Sequence, residues 1–375
     1  IFDLKHFPIS DKDDFKKAGD NILTTNKYKQ ITTRFTGGSS GNPLCVKANN
    51  SFYSKDKANT FFYVNSFGHN IFSSKSVRIY GESIKDSLGN DILYSKGSNK
   101  NRLEINVYLI NPFNIKDIME ALLIHQPEYI HGRMSAITHL AKLILNEDKD
   151  YKIDSLKSIF VDGETVLSID RKIIEKALKA YLINIYGHTE GALFAIQSNS
   201  NTSLMVQGIS GIVEVLDKNQ KIKNIGQGEV IVTGLNNFAM PFIRYRTGDE
   251  VTLNYSEKEN YHNYLVFNSL VGRKIDYLYT KEKDPIPLSS LFYNYDDVDW
   301  SNVKYWKAYQ PSLGKVNVTL ELFSNFNENE KKYICKRIEK QLSILSGNSL
   351  FISVEEGLIT PNSRGKVRNF TPYYI

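Results

Sequence analysis

Several short stretches of this chain combine glycine with side chains that can hold phosphate, metal or hydroxyl groups. The first is Thr36-Gly37-Gly38-Ser39-Ser40-Gly41, directly after the β-prone Ile31-Thr32-Thr33-Arg34-Phe35. Glycines let backbone N–H groups crowd an anion, and Thr36, Ser39 and Ser40 add hydroxyl donors, so the run predicts a loop that wraps a polyphosphate. Alone it reads as an ordinary surface loop, and it lacks the Gly-Lys-Ser/Thr ending of a Walker loop. Further along come Tyr186-Gly187-His188-Thr189-Glu190-Gly191, Tyr245-Arg246-Thr247-Gly248-Asp249, Gly272-Arg273 and Ser363-Arg364-Gly365-Lys366-Val367-Arg368. Taken singly, each is a turn with a solvated charge; five in this order rarely arise together.

In that order the motifs resemble those of the adenylate-forming superfamily of acyl-CoA ligases, peptide-synthetase adenylation domains and luciferases. The spelling Thr36-Gly37-Gly38-Ser39-Ser40-Gly41-Asn42-Pro43-Leu44 resembles its phenylacetate-CoA ligase and CapK-like branch. So does Leu4-Lys5-His6-Phe7-Pro8-Ile9-Ser10-Asp11-Lys12, which takes the resemblance nearly end to end. Relatives in this branch carry more residues before the loop, so a preceding segment is expected.

The resemblance implies a site built around ATP and Mg²⁺. Adenylation needs a grip on the leaving pyrophosphate, neutralised charge at the α-phosphate, a fixed ribose and an oriented carboxylate. The loop Thr36 to Gly41 takes the β- and γ-phosphates. Tyr186 packs on adenine, Gly187 and His188 belong to the ATP-binding set beside it, Thr189 bonds a phosphate oxygen, and Glu190 holds Mg²⁺, a hard cation that prefers oxygen ligands. Gly163 and Glu164, in the turn Asp162-Gly163-Glu164, face the nucleotide or form a plain loop. Asp249 accepts from both ribose hydroxyls, which calls for an ionised acceptor. Arg246 reads as a member of that motif or as a structural ion-pair partner. Arg273 contacts the nucleotide near an interdomain hinge, and Lys366 bridges carboxylate and α-phosphate from a mobile module. Thr189, Glu190 and Lys366 are therefore the expected catalytic residues. His131, Gly132, Arg133 and Ser135 stand where relatives place a Pro-Ser step before a helix lining the acyl pocket. The chain departs from the pattern in three places: the proline of that step is missing, no lysine directly follows the loop (Pro43 precedes Leu44), and Ile275 replaces the Asp two residues after Arg273.

The elements that must position these residues are legible in the hydrophobic spacing. Ile115, Ile118, Leu122 and Leu123 predict a helix over 115–126, and Ile137, Leu140, Ala141 and Ile144 a second over 134–145. A strand over 155–161, a helix over 169–180 capped by Ser168, and a strand over 181–186 follow. That alternation predicts a parallel sheet with 162–164 and 187–190 at carboxyl ends of strands, where open α/β sheets bind ligands. From Gly211 the texture changes to short β runs over 212–216, 229–233 and 264–268, a β-rich subdomain. A strand over 316–322, a helix over 328–345 and a strand over 350–354 make a compact α+β module. The expected fold is thus α/β: a large domain over 1–275 with a parallel sheet and β-rich subdomain, then a small mobile α+β domain over 276–375. The linker is expected at Lys283-Asp284-Pro285-Ile286-Pro287.

Composition bounds the rest. At 375 residues with 41% hydrophobic content the chain can bury a large core and a small one. The formal charge of +6 is spread through interleaved Lys, Asp and Glu, unlike the concentrated face of a nucleic-acid binder. Cys45 and Cys335 are too few for a disulfide framework and fit packed thiols in a reducing compartment. No apolar run is long enough to span a bilayer, so a cytoplasmic, non-transmembrane protein is expected. His125, His131 and His139 lack metal-ligand spacing. The expected partners are a small carboxylic acid and an acceptor, either an amino sugar of cell-surface polysaccharide synthesis or the thiol of CoA. The alternatives are an acyl-CoA ligase of the phenylacetate type and, from another class, a non-catalytic nucleotide-binding scaffold.

Overall fold

A computed structural model describes residues 4–24, 28, 30–36, 44–80, 84–97, 99–164, 166, 168–198, 202–256, 264–273, 277–292, 298, 300, 302–323, 326–360 and 370–371. The chain divides into two compact units, one of Ile1–Ser74, Phe160–Thr165 and Ile183–Lys274, the other of Lys75–Ile159, Val166–Leu182 and Ile275–Ile375.

The first unit is an antiparallel β structure with helices at its edge. Phe194–Gln197 pairs with the end of Tyr181–Gly187 and with Leu204–Val206, which pairs with Leu265–Arg273. Leu265–Arg273 pairs with Tyr245–Tyr255, which pairs with Gly226–Gly234, which in turn pairs with Gly211–Leu216. Inward residues of these strands, among them Val213, Val215, Val230, Val232, Val251, Leu253 and Phe267, form one core with Phe15, Leu44, Val46 and Phe242. Phe15 comes from the helix Lys12–Ala18, whose start is fixed by a capping box between Asp11 and Asp14. The hairpin Ile31–Phe35 with Cys45–Asn49 leads into the helix Asn50–Ser66, where the Asn49 side chain accepts from Phe52 N–H.

In the second unit Ser76–Ile79 lies parallel to both Arg102–Ile105 and Tyr129–Arg133, and Tyr94–Lys96 closes the edge antiparallel. The amphipathic helices Ile115–His125, Met134–Leu145 and Ser168–Leu178 belong to this unit. Ser168 is the first helical residue rather than a cap. The C-terminal part has a four-stranded sheet in the order Phe351–Glu356, Lys315–Leu322, Val303–Ser312, Phe370–Thr371, with the helix Glu328–Leu345 started by an Asn327/Glu330 capping box. Its core collects Trp300, Trp306, Val316, Val318, Leu320, Ile338 and Leu342. The stretch expected as a linker is built into this core instead. Pro285–Pro287 pairs with Tyr277–Tyr279, and Leu278 and Leu288 are buried in the same cluster. Proline tolerates a two-stranded edge because its missing N–H costs only one ladder bond there.

Among the described residues, no helix is long and apolar enough to cross a membrane. Cys45 is half-buried, and Cys335 is buried, which pushes its thiol upward. The three histidines go to separate partners: His125 to Ser76 O, His131 to the Tyr80 hydroxyl and His139 to Ile110 O. His139 is enclosed between Tyr305 and Phe323, and burial lowers it to about 4.

Candidate active site

The strand Tyr181–Gly187 ends in a turn that carries His188, Thr189 and Glu190. Gly191 closes the turn, its N–H donating to His188 O at 2.9 Å with φ at +65°. A Cβ on Gly191 would lie 2.1 Å from Phe52 Cζ, so glycine is required both by conformation and by the pressing of the turn on the Phe52 ring.

Glu190 is tucked beneath this turn and 8% exposed. The Tyr245 hydroxyl donates to its Oε1 at 3.1 Å. His188 Nδ1 lies 3.3 Å from Oε2, at ion-pair distance but outside hydrogen-bond geometry. Burial alone would raise the carboxyl; the His188 imidazole, the residue's own N–H and the Tyr245 hydroxyl outweigh it and hold the group at about 2. Glu190 is therefore an ionised carboxylate in a buried place. Both His188 ring nitrogens are buried without a hydrogen-bond partner among the described residues. Buried orphan nitrogens beside a fixed carboxylate suit a site whose remaining partners come with a ligand.

Tyr245 owes its place to aromatic packing and to the N-terminal segment. Phe15 and Phe242 stack at 4.5 Å, and the Tyr245 ring stands edge-on to both, at 5.3 and 5.0 Å. Ser10 bridges in parallel to Tyr245: its N–H donates to Arg244 O and its carbonyl accepts from Arg246 N–H. Through Ser10, the segment Leu4 to Lys12 thus braces this strand.

Asp249 lies on the same strand, Tyr245–Tyr255, and receives the Tyr186 hydroxyl on Oδ2 at 2.5 Å. The Tyr186 ring stands edge-on to Phe267 at 5.7 Å and to His188 at 6.5 Å. Gly248, at φ +80°, makes the turn that places Asp249, and Thr247 Oγ1 accepts from Asp249 N–H while donating to Val230 O. Two motifs far apart in sequence are therefore stitched twice, each lending a tyrosine hydroxyl to the other's carboxylate. Arg246 takes the structural alternative: its guanidinium makes a two-pronged pair with the buried Glu229 at 3.1 and 2.5 Å. Arg273 stands opposite Asp249 in the strand register.

Thr36 marks the base of the glycine-rich loop. Its N–H donates to Leu44 O and its Oγ1 accepts from Leu44 N–H, both at 2.9 Å, while Phe35 faces Cys45 across the hairpin. The hydroxyl oxygen thus accepts within the protein. Gly37, Gly38, Ser39, Ser40 and Gly41 lie outside the described residues, as do Ile275 and Lys366. Gly163, at φ +75°, and Glu164 follow the strand Ser158–Asp162, an exposed turn at a strand's carboxyl end. Tyr186, Gly187, His188, Thr189, Glu190, Asp249, Gly163, Glu164, Thr36 and Arg273 all belong to the first unit. His131, Gly132, Arg133 and Ser135 belong to the second, at the end of Tyr129–Arg133 and the first turn of Met134–Leu145.

No protein-family profile matches the chain. Along 99% of its length the chain is 26% identical to Protein CapK of Staphylococcus aureus, of which it covers 80%. Among solved structures it superposes on 2-hydroxyisobutyryl-CoA ligase, in complex with R3-HIB-AMP, with a TM-score of 0.68. That match spans 98% of this chain and 80% of the ligase at 14% identity. The fold is that of the adenylate-forming ligases. The anthranilate-CoA ligase AuaEII with anthranoyl-AMP aligns over 92% of this chain and 67% of its own, at TM-score 0.58 and 12% identity. The acyl acid amido synthetase AtGH3.15 aligns over 94% and 80%, at 0.55 and 13%. The match covers residues of both units.

Proposed function

We propose that this chain is an ATP- and Mg²⁺-dependent ligase that activates a carboxylic acid as its acyl-adenylate and passes the acyl group to an acceptor. The observation that carries the reading is the reciprocal stitching of Tyr186 to Asp249 and Tyr245 to Glu190. It sets two carboxylates with different duties in one unit. Asp249, oriented by Tyr186 and by its own backbone bond to Thr247, presents an acceptor suited to the paired hydroxyls of a ribose. Glu190, kept ionised despite burial, is the group that would hold Mg²⁺, which when bound would neutralise phosphate charge. His188 supplies buried ring nitrogens to the ligand, Thr189 a hydroxyl for a phosphate oxygen, and the loop from Thr36 to Gly41 the grip on the leaving pyrophosphate.

The acid's carboxylate oxygen then attacks the α-phosphorus, the bond to the bridging oxygen breaks, and pyrophosphate leaves with that electron pair. Lys366, carried on the C-terminal module over 276–375, places a positive charge where the carboxylate and α-phosphate meet. In the second step the acceptor's amine or thiol attacks the acyl carbon and AMP leaves. A role in cell-surface polysaccharide synthesis, with an amino sugar as acceptor, is the reading that the resemblance to the CapK-like branch implies, and the likeness to Protein CapK along nearly the whole chain keeps the chain beside that branch. The likeness to acyl-CoA ligases supports CoA as the competing acceptor. The two unpaired cysteines accord with action in the cytoplasm.

The deciding experiment is a screen of carboxylic acids for ATP–pyrophosphate exchange, followed by amine and thiol acceptors with each acid that responds. Exchange with at least one acid is expected; none with any acid, alongside intact ATP binding, would leave a nucleotide-binding scaffold.

A further inference from the structure

The first unit carries one fixed cation beside the glycine-rich loop that the ligase reading does not use. Arg34 is an exposed residue of the strand Ile31–Phe35, two positions before Thr36. Thr36 continues the hairpin ladder through its N–H bond to Leu44 O. Residues two apart on an extended chain share a face, so Arg34 and Thr36 stand on one side of the hairpin. The Arg34 guanidinium carbon lies 3.9 Å from the centre of the Tyr53 ring. Stacking of this kind fixes the plane of a guanidinium without consuming its N–H groups. Among the described residues no carboxylate lies within ion-pair distance of Arg34. Lys47, the other cation of this hairpin, is already paired with Asp20 at 2.5 Å.

The Tyr53 ring ties this arginine to the turn that carries Glu190. It stands edge-on to Phe52 at 5.1 Å, and Phe52 is the ring on which Gly191 presses. The Tyr53 hydroxyl is buried with no hydrogen-bond partner among the described residues, so packing holds the ring. Asp56, three residues further along Asn50–Ser66, interacts electrostatically with both Arg34 and Asp162, the first residue of the turn Asp162-Gly163-Glu164. Arg34 therefore sits among the loop base, the Glu190 turn and the 162–164 turn, all within the first unit. Glu190 and Asp249 bring only negative charge to this unit's site, and Lys366 belongs to the other unit. A departing pyrophosphate gathers negative charge, and a guanidinium held in a fixed plane meets its oxygens without reorganising.

We propose that Arg34, held flat on Tyr53, binds the β- and γ-phosphates of the nucleotide and donates hydrogen bonds to the pyrophosphate as it leaves. The bond that breaks is the one between the α-phosphorus and the bridging oxygen, and its electron pair leaves with the pyrophosphate that Arg34 faces. The departure of pyrophosphate rests on the ligase reading; the contact with a polyphosphate does not.

The test is calorimetric titration of the full chain with inorganic pyrophosphate, ATP and AMP at one fixed Mg²⁺ concentration. Arg34→Gln should weaken pyrophosphate and ATP about tenfold or more and leave AMP within about twofold, because AMP lacks the β- and γ-phosphates. Arg34→Lys should recover part of the loss, since the charge returns without the planar stack. Exposed ion pairs alone give less than about fivefold, so a tenfold loss confined to the two polyphosphates requires oriented contact. The AMP titration also reports whether the variant is folded. Pyrophosphate and ATP binding unchanged in Arg34→Gln, or an equal loss for all three probes, overturns the proposal. Arginine-dependent binding of pyrophosphate, but no pyrophosphate exchange with any acid, would keep Arg34 as a phosphate ligand and sink the ligase reading. Exchange with an acid, alongside wild-type pyrophosphate affinity in Arg34→Gln, would keep the ligase and sink this role for Arg34.

Discussion

Replacing Tyr245 by Phe removes one hydroxyl and leaves the ring that packs against Phe15 and Phe242. What is lost is a hydrogen bond to a buried, ionised carboxylate, a class worth about 1.5–3 kcal/mol. Glu190 then titrates nearer its ordinary value, moving up from about 2. The sign follows from the direction of the shift. A carboxyl held below its usual value of 4.5 stabilises the folded state above that pH, and the contribution fades as pH falls toward about 2. The Tyr245→Phe deficit should therefore be full at pH 7 and shrink below about pH 4. Both tryptophans lie in the other unit, so fluorescence would report the wrong place. Amide hydrogen exchange along Tyr245–Tyr255, compared between variant and wild type at each pH, reads the right one. Protection should drop roughly 10- to 150-fold at pH 7. A change below about twofold at pH 7, or a deficit that grows in acid, would refute the account of how Glu190 is held.

Three further outcomes can be checked with simpler assays. Asp249→Ala should cost ATP affinity about 1.5–3 kcal/mol for each ribose bond lost, with little change in fold; unchanged affinity by calorimetry would remove Asp249 from the site. Lys366→Ala should slow acyl-adenylate formation by about two decades or more and spare transfer from chemically made acyl-AMP; equal loss in both half-reactions would argue against a moving C-terminal module. Gly191→Ala should lower stability by about 1–3 kcal/mol, because its methyl meets the Phe52 ring and its backbone is left-handed. Part of that loss should return in the double variant with Phe52→Leu, and a neutral Gly191→Ala by thermal melting would mean that the turn is loosely packed.

Where side chains repeat with a clear period, the sequence was enough to place the elements. The helices Ile115–His125, Met134–Leu145 and Glu328–Leu345, and the strand Tyr181–Gly187, match their hydrophobic spacing to within a residue or two. The helix Asn50–Ser66 is not legible in the sequence because its buried residues, Phe52, Asn59, Tyr63 and Val64, do not form a regular stripe. At Pro285–Pro287 proline signals a break and predicts a linker, and tertiary burial of Leu278 and Leu288 overrides it. In the site, the types and order of Glu190 and Asp249 were readable. Their partners were not: Tyr245 and Phe15 matter through contacts made across long sequence separations, which no local spacing encodes. Arg246 shows the reverse case, a motif arginine whose geometry is that of an ion pair with Glu229.

The exchange of hydroxyls between Tyr186-Gly187-His188-Thr189-Glu190 and Tyr245-Arg246-Thr247-Gly248-Asp249 has a consequence for how such a site can change over time. A sequence drifting at one tyrosine strips support from the other motif's acid, so its cost depends on what the distant segment still carries. The two stretches should tolerate joint replacement from a relative better than replacement of either alone, with a coupling energy visible in a double-mutant cycle of Tyr186→Phe and Tyr245→Phe. A chimera that imports one motif and keeps the other would join halves shaped by different histories. In heredity as in geometry, these two segments form one unit.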